Sequence, residues 1–327
     1  MTVEVLVALF GPAAATVALI ACGLRTPLAR RLVDRPNDRS LHEAPRPRIG
    51  GLALMLTALP VAAVLGEATL APAVACAAVL AAISALDDLK SLPAGVRLAA
   101  HAGAATLAAY FLTRGTGWTL PALVLSILAI AWTTNLYNFM DGADGLAGGM
   151  ALIGFSAMAA AAAMANASGL ALACAAIASA SAGLLVYNFP PARVFMGDAG
   201  SIPLGFLAAT LGLAGVVQGA WSPLFPVLVF APFIVDASLT LLRRIARRER
   251  FWRAHRSHLY QRLVLAGWSH RRLALYAYAV MALAAGAGLG SLAAQSGCLL
   301  QCGIIGVWVA SWAGLDFALE HRGAARG

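Results

Sequence analysis

Apolar residues run along this chain in long blocks, and polar residues gather in the gaps between them. Apolar blocks of about eighteen residues or more recur from one end to the other, the length that crosses a bilayer as a helix. Backbone polar groups in lipid must be satisfied within their own segment, so helices are expected. The alternating ten-residue segments of a membrane β-barrel are not evident. The blocks predict eleven spans, at 3–23, 50–66, 69–86, 94–113, 118–138, 146–165, 169–187, 201–218, 222–242, 273–294 and 298–319. The expected fold is an all-α polytopic transmembrane helical bundle forming a single integral membrane domain over 1–327. The first block lacks a basic leader and carries Glu4, so it reads as a retained span rather than a removed signal peptide.

The gaps alternate in character. Those after even-numbered spans are short and nearly uncharged, whereas those after odd-numbered spans hold almost everything polar. Of the 23 Lys and Arg residues, all but Arg114 fall on the odd side. Basic loops stay cytoplasmic, which predicts an N-terminus outside and a C-terminus inside. The formal charge of +9 is therefore mostly topology, with anionic lipid headgroups or an anionic substrate as further uses. Nucleic-acid binding is not needed to explain it. Composition agrees: 61% hydrophobic, 11% charged, mean hydropathy +0.81, against about a quarter charged in a soluble domain. Abundant Ala and Gly suit close helix packing in lipid. Five cysteines, all within or at the edge of apolar blocks, with no CxxC, support neither a disulfide framework nor a zinc site.

Chemistry-bearing residues concentrate at one membrane boundary. Asp87 and Asp88 end the third span, in ALDDLKSLPAGVRL. Asn135, Asn138, Asp141 and Asp144 recur every three residues in NLYNFMDGADGLAGG, predicting a slanting polar stripe on a helix end. Asp198 follows the seventh span in YNFPPARVFMGDAGS. His255, Arg256, His258 and Arg262 follow the ninth in FWRAHRSHLYQRL. Each cluster alone is explained by a wet helix end, a turn or a basic surface segment. Together, carboxylates at three boundaries on one side only are not, and ionisable groups at membrane depth point to function. Oxygen ligands without thiolates suit a hard cation such as Mg²⁺. Arg and His suit phosphate oxygens, and glycines let backbone N–H groups approach them. The kit suits phosphoryl transfer, where catalysis is mostly positioning and charge neutralisation.

DDLKSL, NLYNFMDGADGLAGG, FMGDAGSIPLGF and HRSHLYQRL, in this order, resemble the motifs of the polyprenyl-phosphate N-acetylhexosamine-1-phosphate transferases (glycosyltransferase family 4). The family includes the phospho-N-acetylmuramoyl-pentapeptide transferase of peptidoglycan synthesis. RPNDRSLHEAPRPRIGG, which holds Arg48, resembles the family's first cytoplasmic loop, so the likeness covers about residues 34–262. Eleven spans and the HRSHLYQR form resemble the branch that starts O-antigen and other envelope polysaccharides. Pentapeptide-using members tend to carry adjacent histidines where this chain has Tyr260 and Gln261.

The resemblance implies a reaction and roles. A UDP-linked N-acetylhexosamine (GlcNAc, FucNAc or QuiNAc type) and undecaprenyl phosphate would give undecaprenyl-diphospho-sugar and UMP. Asp198 would be the main ligand of Mg²⁺, for which Mn²⁺ could substitute, with Asn188 beside the metal-diphosphate centre. Phe195 would stack on uracil, and Asn138, Asp141 and Asp144 would hold the nucleotide-sugar end. Asp87, with Asp88 beside it, would activate the lipid phosphate. His255, Arg256, His258, Arg262 and Arg48 would contact substrate. The expected setting is the bacterial inner (cytoplasmic) membrane, multi-pass, with the site on the cytoplasmic face, membrane lipids around it and a homodimer compatible. In-line attack and a two-step route through a phosphoryl-aspartate both remain open. A transporter would place acids near the midplane in repeated halves, and here they cluster at one edge. Asp236, in PFIVDASL, is expected to pack between helices behind the site.

Overall fold

The third apolar block shows how these segments end. It forms helix α4 (Ala71–Lys90), entered through a single 3-10 turn at Ala68–Leu70 with Pro72 in its first turn, where no N–H is missed. It stops where Ser91 turns left-handed and Asp87 Oδ1 accepts from Leu92 N at 2.6 Å. Asp87 and Asp88 thus sit on the last helical turn.

The chain, seen in a computed structural model, is described at residues 2–36, 41, 44–250, 255–295 and 297–324. Helices fall on every expected span: α1 (Val3–Gly23), α3 (Gly50–Leu65), α4, α5 (Ala94–Thr113), α6 (Leu120–Phe139), α7 (Leu146–Met164), α8 (Ser168–Asn188), α9 (Asp198–Val217), the pair α10 (Leu224–Val229) and α11 (Ala231–Ala246), α13 (His270–Ala293) and α14 (Cys298–Ala324). Eight described helices are long and apolar enough to cross a membrane: α1, α4, α6, α7, α8, α9, α13 and α14. Of the rest, α3 has only 16 residues, and α5 carries Arg97 and a buried His101. The ninth expected span is not one helix. It breaks at Phe230, where Pro232 in the first turn of α11 leaves no N–H to continue the ladder.

Four elements were not expected. α2 (Pro27–Arg31) and α12 (Leu259–Leu265) are short helices in polar loops. Strands β1 (Val33–Asp34) and β2 (Arg46–Pro47) pair antiparallel, a small departure from an all-α fold. Two-residue strands leave no alternation to detect.

The core is built around α9, which packs on α4, α6, α3 and α5, while α8 is flanked by α7, α1 and α3. Small residues make this possible. A Cβ on Gly51 would stand 2.4 Å from Gly200 Cα, so α3 and α9 touch backbone to backbone. The contact continues as pairing: Gly50 N donates to Phe195 O at 3.0 Å, Gly51 N to Met196 O at 2.9 Å, and Phe195 N to Pro47 O at 2.8 Å. The first loop and the loop before α9 are thereby locked together.

Candidate active site

Four loops meet at this end of the bundle around a cavity of about 360 Å³. Arg48, Asn138, Asp141, Asp144, Asn188, Phe195 and Asp198 line it, joined by Asp34, Gln261 and His270. The predicted stripe does not survive as one helix face. α6 ends at Phe139, Met140 N turns back to Leu136 O and Tyr137 O, and Asp141 and Asp144 lie in the following loop. The spacing of three was right for a helix, but the Gly-rich stretch beyond Met140 leaves it. The loop folds back so that Asp141 still faces the cavity with Asn138.

Asp198 opens α9 directly after Gly197, whose φ of +73° suits glycine. Asn138 hydrogen-bonds Asp198, and Ser201 Oγ donates to Asn138 Oδ1 at 2.7 Å, which orients the amide. Asp141 is half-buried at the cavity wall, and desolvation pushes its carboxyl well above the usual range; nearby Asp198 and Asp88 add to this, while Arg48 opposes it. Arg48 is shared between Asp34 Oδ1 at 2.5 Å and Asp88 Oδ1 at 3.3 Å. The other oxygen of Asp88 is buried without a hydrogen-bond partner. An excess of carboxylates around one guanidinium, with an orphaned buried oxygen, is what a bound cation would relieve.

Among the described residues, no three His, Cys, Asp or Glu side chains form a metal-holding group by themselves. Mg²⁺ does not require one, because it usually keeps waters and takes one or two carboxylates plus substrate phosphates. The acids present fit such an ion.

The other expected residues are placed differently. Asp87 does not line the cavity and is paired with Arg97 Nη1 at 3.0 Å. Asn188 lines the cavity, but its amide ties two loops, accepting from Gly145 N at 3.1 Å and donating to Val194 O at 2.9 Å. Asp144 Oδ2 accepts from Ala192 N at 2.9 Å, and its Oδ1 lies 3.3 Å from His270 Nδ1. Phe195 is half-buried at the cavity wall. His258, Arg262, His255 and Arg256 do not line the cavity. His258 is buried, stacked on Phe139 and Tyr260, with Nδ1 3.8 Å from Asp236 Oδ1. Arg262 pairs with Asp316. Burial together with His258, Arg244 and Arg243 pushes His255 down to about 4, so it is neutral at pH 7. Arg256 is exposed.

Asp236 has a clear job. Its carboxylate receives Leu259 N at 2.8 Å and Tyr260 N at 3.2 Å, capping α12 from α11. Tyr260 in turn donates to Phe139 O at 2.9 Å and packs on Gly142, where a Cβ would stand 2.2 Å from its hydroxyl. Tyr278 fills the same role at Gly145. No site role was read from the sequence for His270, Gln261, Asp34 or Arg97. Ser269 caps α13 from Arg272 N, and this Ser-before-helix signal could have placed His270 at a helix start.

A helical bundle with an acid-lined cavity where its loops converge is the frame of a polytopic membrane transferase, and comparison with known proteins gives its family. The chain belongs to glycosyl transferase family 4, whose family profile matches residues 70–216. A Bacillus subtilis protein named "Probable undecaprenyl-phosphate N-acetylglucosaminyl 1-phosphate transferase" is 32% identical over 81% of this chain and 80% of its own length. The decaprenyl-phosphate N-acetylglucosaminephosphotransferase of Mycobacterium leprae is 31% identical over 83% and 80%. A phospho-N-acetylmuramoyl-pentapeptide-transferase of Pelotomaculum thermopropionicum is 37% identical, but over only 54% of this chain and 52% of its own.

Proposed function

We propose that the protein transfers an N-acetylhexosamine 1-phosphate from a UDP-sugar to undecaprenyl phosphate, releasing UMP and starting a lipid-linked envelope polysaccharide, an O-antigen or a related chain. The observation that carries the reading is the convergence of Arg48, Asp141 and Asp198 on one cavity at the end of an apolar bundle, with Asp88 paired to Arg48 beside it. A lipid phosphate and a soluble nucleotide can meet only at such a boundary. GlcNAc is the favoured sugar, because the relatives that align along most of the chain are named for it.

The lipid phosphate oxygen attacks the β-phosphorus of the donor, and the bond from that phosphorus to the bridging oxygen breaks, leaving UMP. Asp87 takes up the proton of the lipid phosphate where it is still protonated, and Arg97, partly exposed beside it, attracts the anion. Asn138, Asp141 and Asp144 hold the sugar-nucleotide, and Phe195 stacks on uracil. Arg48 neutralises phosphate charge. Asp198, with Asp88 and Asp141 close by, would hold Mg²⁺. That ion, when bound, supplies charge neutralisation for the diphosphate.

Purified protein given undecaprenyl phosphate, Mg²⁺ and a panel of UDP-N-acetylhexosamines should release UMP, fastest with UDP-GlcNAc. Absence of turnover with every donor sinks the reading. The same reading places eleven spans in a bacterial inner membrane, with the cavity cytoplasmic. A cysteine at Arg247, on a background without native cysteines, should resist labelling from outside intact cells.

A further inference from the structure

Asp316 lies in the last described helix, most of which faces outward from the bundle. Even so, this carboxylate is buried. Arg243 Nη1 donates to its two oxygens at 2.5 and 2.6 Å, and Arg262 pairs with the same Oδ1. One helical turn earlier, Trp312 Nε1 donates to Asp236 Oδ1 at 3.2 Å. A carboxylate set between two guanidiniums fixes direction as well as charge, because each planar fork offers its donors along set lines.

From the other side, α11 grips the same stretch of chain. Asp236 receives the first two amides of α12, and Arg243 Nη2 donates to Ser257 O at 2.7 Å. A seven-residue helix does not hold its shape unaided in water. Its position is therefore set by these neighbours. The contacts then continue to the cavity: Tyr260 reaches Phe139 O and Gly142, and Gln261 lines the wall. None of α11, α12 or α14 falls within the residues matched by the family profile.

We propose that Asp316 is a positioning residue: with Asp236 it makes the facing sides of α11 and α14 a cradle that sets the direction of Arg262 and the place of Gln261, so that the last helix is part of the working site. The inference rests on the reading that this cavity handles the donor diphosphate.

The test uses full-length protein in lipid nanodiscs. Asp316→Asn should lower kcat/KM for the UDP-sugar about 10-fold or more, mainly through KM, and Asp316→Glu should restore most of it. In an Arg262→Ala background the same change should cost less than about 2-fold, since the two residues act as one unit. Equal losses in both backgrounds, or near-normal kinetics, overturn the proposal. Hydrogen exchange supplies a readout that needs no turnover. Amides 259–265 should exchange about 10-fold faster in Asp316→Asn while α7, α8 and α9 are unchanged. Unchanged exchange in 259–265, or a rise spread across the bundle, overturns it. Failure of the wild-type chain to release UMP from any donor overturns the functional reading instead, and the exchange result still decides on the cradle.

Discussion

Arg48, carried by the first loop, donates from Nη1 to Asp88 Oδ1 at 3.3 Å, while Asp88 Oδ2 stays buried and unpartnered. One residue comes from a strand-like loop, the other from the last turn of α4, 40 positions on. Their meeting depends on the backbone pairing of Pro47, Gly50 and Gly51 with Phe195 and Met196. Arg48→Gln should therefore leave two acids, Asp34 and Asp88, without their cation. The cost to stability is about 1–3 kcal/mol at most, discounted because Arg48 is one-third exposed. Activity should suffer more than stability, by about 100-fold in kcat/KM, because in the proposed reaction the guanidinium also neutralises phosphate charge. A variant with normal kinetics and lowered stability would show Arg48 to be scaffold alone.

Asp198 and the metal are tested together. Asp198→Asn keeps shape and removes charge in a crowded set of acids, so folding should hold or improve slightly. Mg²⁺-dependent UMP release should fall by about 1,000-fold, and chelation of wild-type protein with EDTA should do the same. Near-normal activity of the variant at low Mg²⁺ would remove Asp198 as a ligand.

Gly142 tests the link between α12 and the α6–α7 loop. An added methyl would meet the Tyr260 hydroxyl at 2.2 Å, and Tyr260 is buried and bonded to Phe139 O, so it cannot swing away freely. Gly142→Ala should cost about 1–3 kcal/mol by overpacking and raise the donor KM by moving Asp141. Combining it with Tyr260→Phe should recover part of both losses, because the clashing oxygen is gone. No recovery in the double variant would show that the strain lies elsewhere.

The apolar blocks made the helices legible, because length and composition decide a span before any tertiary contact exists. The clustering of Asp88, Asp141 and Asp198 was legible too, since the alternation of loops assigns each to one end of the bundle. What stayed hidden depends on partners far along the chain. Asp236 caps amides 23 and 24 residues on, and Arg262 finds Asp316 54 residues on. His270 became part of the cavity only once the loops had folded against α13. The break at Phe230 had its signal in Pro226 and Pro232, but an apolar block flanked by polar loops outweighed it.

In the proposed reaction, Asp87 and Asp144 separate activation of the acceptor from binding of the donor. Asp87 pairs with Arg97 and does not line the cavity, whereas Asp144 lines it beside His270. Asp87→Asn should lower kcat with little change in the UDP-sugar KM, and Asp144→Asn should raise that KM as well. An interaction made only in the transition state shows in kcat, and one made in the ground state shows in KM. Asp87 also closes the end of α4 through Leu92 N, so a stability loss of about 1 kcal/mol is expected beside the kinetic one. Raising the pH should partly rescue Asp87→Asn, because a fully ionised lipid phosphate needs no base. Its second pKa is about 6, so rescue should appear between mildly acidic and neutral pH. A flat profile would remove Asp87 as the base. Capture of a phosphorylated aspartate in the wild-type protein would replace in-line attack with the two-step route.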